Sequence, residues 1–426
     1  MDETPPVGEI PPELRLDRPL RLPEPLAEAP LGAHVLELAA PNSHCDEAVC
    51  FLGAGTYDHH VPAIVEAIAG RLPHLRIGPG APLPVRHTQT GEAFLRLVFD
   101  LEVYWQELSA LEVAFAPLAD GPHALVEALK AAARVTGRRE AVVARSVNPT
   151  WRQIANTLTS GSLTLREVGY HGGITRPGDL ARLLSSDVAC VVVEHPNYFG
   201  CLEDVASLGA VAHEAGALLV VKADPISLGV LRPPGELGAD IAVADAQALG
   251  SRPAWGGNSI GLLACSQTIA QAVGSWRVLG REGRSRHEGK AEAAILAERI
   301  ARPVLYLAAV GGEGLRRAAT LSTAMAHKAL EAITRLEGFE PRFRAPFFKD
   351  FVVESLLDPR EVAEALLESN ILGGLPLQDD YPEMENCLLF AATERRTEGD
   401  IELLRHTLEL IAETDFGELE TDADYG

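Results

Sequence analysis

The apolar positions of this chain follow two rhythms, and their alternation predicts an architecture. Val188–Val193 is a continuous apolar run rich in valine, the pattern of a strand covered on both faces. From Glu203 to Ala215 the apolar residues Val205, Leu208, Val211 and Ala212 recur at helical spacing, and Gly216 supplies a stop. Ala217–Val221 reads as the next strand and ends in Lys222-Ala223-Asp224-Pro225. Ala141–Ala144, Ile241–Val243 and Ile260–Ala264 give further short strands. Strand–helix–strand repetition of this kind implies a mostly parallel sheet with helices on both faces.

A second, smaller α/β unit follows. Phe347–Val353 reads as a strand, and Asp358-Pro359-Arg360-Glu361 as a helix start with an N-cap Asp and Pro at the first position. A further strand is expected through Leu388–Phe390, and a last helix from Thr397. The expected organisation is an extended, Pro-rich arm over 1–40, a large α/β domain over 41–330, a small α/β domain over 335–413, and an acidic, flexible tail over 414–426.

Composition narrows the function classes. At 426 residues the chain exceeds one compact core. Its 47% hydrophobic and 23% charged residues are those of an ordinary globular protein. The balance of 37 basic against 60 acidic residues leaves −23, which repels phosphate backbones and argues against nucleic acid as a partner. No apolar run approaches the roughly 20 residues of a membrane helix, and the acidic start shows no signal pattern. A soluble, cytoplasmic protein is expected, with no membrane partner. The six cysteines form no C-x-x-C pair and read as reduced, buried thiols. His44, His59 and His60 near Cys45 and Cys50 match no zinc spacing, so no metal site is expected.

This layout resembles that of pyridoxal 5'-phosphate (PLP) enzymes of the aminotransferase type, the fold-type-I transferases. They need an acid at a strand end facing the pyridine nitrogen and a lysine further on for a Schiff base. Asp224 fits the first role, although Asp-Pro after a strand also makes a simple turn. The lysine is missing. The chain has five, Lys130, Lys222, Lys290, Lys328 and Lys349, and none lies in the stretch Ala244–Gly250 where it should emerge. Lys222, two residues before Asp224, could pair with it, bridge to a partner, or form an unconventional imine. His195 could stack on or bond to a ligand, or cap the sheet. Gly53, Gly55, Gly256 and Gly257 could let backbone approach a phosphate, or serve tight turns.

Several blocks then point one way. They are Phe51–Pro62, His195–Gly200 with Glu203-Asp204, Ala223–Gly229 with Pro233–Glu236, Ile371–Leu377, and Thr393-Glu394 with Arg396-Thr397. In this order, over nearly the whole chain, they resemble the P-protein family of the glycine cleavage system, and within it the alpha-type subunit of a two-subunit glycine decarboxylase. The resemblance implies a heteromeric oxidoreductase of amino-acid catabolism, this chain alone being inactive. The PLP-bearing beta subunit would decarboxylate glycine and pass the aminomethyl group to lipoylated H-protein. It also implies that the cofactor lysine of the beta subunit aligns with Gln247, so that no PLP is held covalently here. Asp224, His195, Asn197, Gly256 and Gly257 would be the remnants of a vestigial or shared cofactor site.

Departures from the family pattern are local. Pro84–Gly91 loses a tyrosine and an acid, and Lys290–Ala297 loses small polar side chains. The segment before it, Gly280–Arg286, is shortened. Pro122 in Ala119–His123 removes an amide donor from a helix N-terminus that could hold a phosphate. Two alternatives stay open: a catalytically inert scaffold, or a subunit of a specialised PLP enzyme acting on another amino acid.

Overall fold

The computed structural model describes residues 11–16, 18–42, 47–72, 76–77, 89–253, 259–273 and 295–423. Cys45, His44, Gly256, Gly257, Pro84–Thr88, Gly280–Arg286 and Lys290–Ala294 lie outside the described residues. Residues 1–44 and 45–426 form two units. The first carries helix α1, Glu28–Ala39, within the stretch expected to be extended. The helix takes Pro30 into its first turn, where an amide has no partner within the helix, and continues because no further proline comes until Pro41.

The second unit begins with strand β1 (Val49–Cys50), helix α2 (Ala63–Ala69), β2 (Arg76–Ile77) and α3 (Gln89–Ser109). There follow β3 (Val113–Leu118), α4 (Gly121–Thr136), β4 (Glu140–Ala144), α5 (Pro149–Thr159), β5 (Thr164–Val168) and α6 (Pro177–Leu183). Next come β6 (Val188–His195), α7 (Val205–Glu214), β7 (Leu218–Ala223), β8 (Ile241–Asp245), β9 (Gly261–Cys265) and α8 (Gln267–Ala270). The chain then runs through β10 (Ile295–Leu296), α9 (Ala297–Ile333), β11 (Phe339–Pro341), β12 (Asp350–Ser355) and α10 (Pro359–Glu368). It closes with β13 (Ile371–Leu372), β14 (Leu375–Pro376), β15 (Cys387–Ala391) and α11 (Glu398–Ala423). Helix α9 breaks at Gly311. Helix α11 runs into the segment expected to be a flexible tail.

The large sheet has seven strands in the order β3-β9-β8-β7-β6-β4-β5. Only β9 runs against the rest, pairing antiparallel with both β8 and β3. Val188, Cys190 and Val191–Val193 are wholly buried, as are Leu219 and Val220 on β7. That burial explains why these strands read as unbroken apolar runs. The smaller sheet, β11-β12-β15-β14, is antiparallel throughout. It packs Phe351, Val353, Leu388 and Phe390 against helices α9, α10 and α11.

Local signals hold at the predicted ends. Asp204 caps α7 by accepting from the Ser207 amide, and Gly216 adopts φ 70° after it. Asp358 caps α10 through the Arg360 amide at 2.7 Å. Thr397 and Asp400 bond reciprocally at the start of α11, at 2.8 and 3.1 Å. The expected strand at Phe347–Val353 is observed three residues later. Phe347 bridges to Cys201 at the end of the large sheet instead, which delivers Lys349 to the strand ends.

Candidate functional site

Parallel strands place their C-terminal ends together, and ligands of open α/β sheets sit in the crevice there. At these ends a cavity of about 30 Å³ is lined by Tyr57, Trp151, Glu194, Lys222, Asp224, Gln247 and Asp350, among others. Such a volume holds roughly two water molecules.

Asp224 follows β7 directly, where the sequence placed it. Its Oδ1 accepts the Ile226 amide at 2.9 Å, an Asx turn, and its Oδ2 lies 2.6 Å from Lys349 Nζ. Burial alone would raise this carboxyl; the Lys349 ammonium outweighs it and holds the carboxyl below its ordinary range. Lys349 is wholly buried. It also meets His59 Nε2 at 2.8 Å and sits 3.3 Å from the centroid of the Tyr57 ring. With the ammonium donating, His59 Nε2 accepts and Nδ1 faces Glu394 at 2.7 Å. Glu394 further accepts the His60 amide at 2.8 Å. Against the raising effect of its burial, these partners bring its carboxyl down to about 2. The Tyr57 hydroxyl donates to Asp350 at 2.9 Å, and burial pushes Asp350 up to about 7.

Lys222 does not pair with Asp224. Its ammonium bonds Glu194 on the neighbouring strand and lies 4.7 Å from the Trp151 ring centroid. The register explains this, since Glu194 stands directly beside Lys222 in the β6–β7 ladder. Alternation also decides the fate of His195. Glu194 faces the cavity, so His195 turns to the other side and accepts the Glu203 amide at 3.1 Å. Burial drops its imidazole to about 4. Asn197 donates to the Gly173 carbonyl at 2.7 Å and to Glu203 at 2.8 Å, and accepts the Phe199 and Cys201 amides. The structure thus sets His195 and Asn197 in a buried turn apart from the cavity, where they fasten the chain after β6.

Gln247 occupies the stretch in which a Schiff-base lysine was sought. Its side chain accepts from the Tyr57 amide and donates to the Tyr57 and Ser251 carbonyls. Gly53 lies against the Asp350 carboxylate and Gly55 against the Asn148 amide. Tyr57, Trp151, Glu194, Asp245, Lys349 and Asp350 were not singled out by the sequence as parts of a site.

The helix N-terminus that could receive a phosphate is α4. The Gly121 amide donates to Asp245 at 3.0 Å, Pro122 has no amide hydrogen, and the His123 amide is taken by its own cap, Asp120, at 2.8 Å. Trp151 lies directly over Gly121, where any β-carbon would overlap its ring. Two carboxylates and an indole therefore stand where a phosphate would go, although burial raises Asp245 above the usual carboxylate range. An acid already paired, two lysine ammoniums each held by a carboxylate, Gln247 where the Schiff-base lysine was sought and an occupied phosphate cradle do not fit PLP.

Among the described residues no helix is long and apolar enough to cross a membrane, and no His, Cys, Asp and Glu cluster could hold a metal ion. Cys50, Cys190, Cys201, Cys265 and Cys387 are buried.

Comparison with known proteins gives consistent matches. Residues 6–291 match the family model described as glycine cleavage system P-protein. A relative from Carboxydothermus hydrogenoformans, named "Probable glycine dehydrogenase (decarboxylating) subunit 1", is 37% identical, covering 94% of this chain and 93% of its own. One of the same name from Desulforamulus reducens is 34% identical, covering 95% and 94%. A crystal structure of a glycine decarboxylase (P-protein) of the glycine cleavage system, in inhibitor-bound form, superposes with a TM-score of 0.81. It is 35% identical and covers 95% of this chain and 94% of that one. A sphingosine-1-phosphate lyase from Burkholderia pseudomallei, 16% identical with a TM-score of 0.70 and covering 95% and 97%, shares the fold.

Proposed function

From the premise that this chain belongs to the glycine cleavage system P-protein family, we propose that it is the cofactor-free subunit of a two-subunit glycine decarboxylase. The relatives' designation as subunit 1 implies a second subunit, and the matched solved structure bears the glycine decarboxylase name. In this reading the partner subunit carries PLP and the glycine chemistry, and lipoylated H-protein receives the aminomethyl group. This chain contributes a fixed surface on which the partner assembles.

The observation that carries the reading is the pair Asp224–Lys349. The strand-end acid that a pyridine nitrogen would need is already neutralised by a wholly buried ammonium of the same chain. Gln247 and the blocked start of α4 support the same conclusion from two other sides.

The experiment is glycine–carbon dioxide exchange in the presence of H-protein. The chain alone should be inactive, and activity should appear on adding the second subunit. Asp224→Asn should leave turnover per assembled complex unchanged. A tenfold drop without dissociation, about 1.4 kcal/mol in the barrier, would place chemistry on this chain instead.

A further inference from the structure

Lys349 and Asp224 stand at the ends of strands in different sheets. Asp224 immediately follows β7 of the large sheet, and Lys349 immediately precedes β12 of the small one. The ammonium is wholly buried, 2.6 Å from Asp224 Oδ2, 2.8 Å from His59 Nε2, and 3.3 Å from the Tyr57 ring centroid. Its chain segment leads into the small sheet, while its head meets Asp224 and Tyr57, two residues that line the cavity.

We infer that Lys349 is the resident cation of a latent ammonium site: it stands where a ligand's charged nitrogen would stand against Asp224 and thereby pins the small sheet shut over the strand ends. This rests on the reading of the chain as cofactor-free. The site is built for a cation independently of the lysine's own backbone. Asp224 supplies a full charge, His59 Nε2 a lone pair, and Tyr57 the face of an aromatic ring. These three come from two segments far from residue 349 in sequence. Glu394, behind His59, adds a second carboxylate to the surround, and Asp350 accepts the Tyr57 hydroxyl and fixes that ring. Glu194 is neutralised separately by Lys222. Removing the lysine therefore leaves a box with the chemistry of a small primary ammonium binder. An aminoalkyl group as short as the lost side chain is the ligand class it fits.

The test is chemical rescue in the full-length chain, purified with its partner if the chain alone aggregates. Lys349→Ala removes three methylenes and the ammonium, for which n-propylammonium is the matching replacement. The wild-type melting temperature should be indifferent to millimolar propylammonium. Lys349→Ala should melt on the order of 5–10 °C lower and recover much of that loss with propylammonium, but not with propanol, which lacks the charge. A variant as stable as the wild type, or one that propylammonium does not restore, would overturn the inference. Should Lys349→Ala fail to fold, Asp224→Asn/Lys349→Met decides the matter. Both charges are then gone, so recovery of a soluble, cooperative fold supports the pairing, and continued failure overturns it. Pyridoxyl labelling reads the subunit assignment separately: absent rescue with no label leaves that assignment standing, while label on this chain removes it whatever the rescue shows.

Discussion

Gln247 holds Tyr57 at both of its backbone polar groups: its Oε1 accepts the Tyr57 amide at 2.9 Å and its Nε2 donates to the Tyr57 carbonyl at 3.0 Å. Nε2 also reaches the Ser251 carbonyl at 2.7 Å. A side-chain amide is donor and acceptor at once, and a lysine has no acceptor. Gln247→Lys therefore leaves the Tyr57 amide unpaired beside a cavity already lined by the Lys222 ammonium. The variant should lose about 1–3 kcal/mol of stability. It should also develop no imine absorbance with added PLP, because Lys349 still covers Asp224. A stable variant with a stoichiometric imine band would show that the missing lysine alone separates this chain from a cofactor-bearing one.

Asp350 gives a pH signature. Burial raises its carboxyl to about 7 in the folded protein, against about 3.9 in an unfolded chain. An acid raised on folding contributes stability that is fully present below about pH 4 and lost as pH rises through about 7. Glu394 acts oppositely: held at about 2 when folded, it contributes stability present above about pH 4.3 and lost as pH falls towards 2. The two windows barely overlap. Melting temperatures measured from pH 5 to 8 should fall in the wild type and flatten in Asp350→Asn, which mimics the protonated acid. Equal slopes in the two proteins would mean that Asp350 is ionised throughout.

Gly200 is a point of close contact between the sheets. It has φ 82°, and a β-carbon there would overlap the backbone of Asp350. Gly172, at φ 60°, has open space around the same position. Gly172→Ala should cost only the left-handed backbone penalty, about 1 kcal/mol. Gly200→Ala should cost several times that, or abolish soluble expression, because backbone rather than a flexible side chain must move. Comparable melting temperatures for the two variants would show that the small sheet is free to shift.

Much of this fold could be read from apolar rhythm, because strands buried on both faces leave unbroken runs. Val188–Val193 and Ile241–Val243 were placed within a few residues of β6 and β8. The site was less legible. Asp224 was found from its strand-end position, but its partner was not, since nothing local joins residue 349 to residue 224. His195 and Asn197 were singled out as ligand residues for their chemistry. Tracking alternation back from the strand end would have chosen Glu194 instead, because adjacent strand residues face opposite sides. Lys349 carried one faint signal: it is one of only five lysines, and it sits in the apolar stretch Phe347–Val353, where an uncompensated ammonium would be costly. The helix at Glu28–Ala39 was missed because the prolines before it dominated the reading.

The central claim, that the cofactor belongs to the partner, is tested most directly by borohydride. The chain is co-purified with its second subunit, supplied with PLP and reduced, and pyridoxyl peptides are mapped by mass spectrometry. The account predicts one label per pair of subunits, on a lysine of the partner, with none at stoichiometric level on Lys222, Lys349 or any other lysine of this chain. A stoichiometric pyridoxyl group on Lys222 would contradict it, since that lysine would have to leave Glu194 and admit a cofactor where the structure leaves space for little more than water.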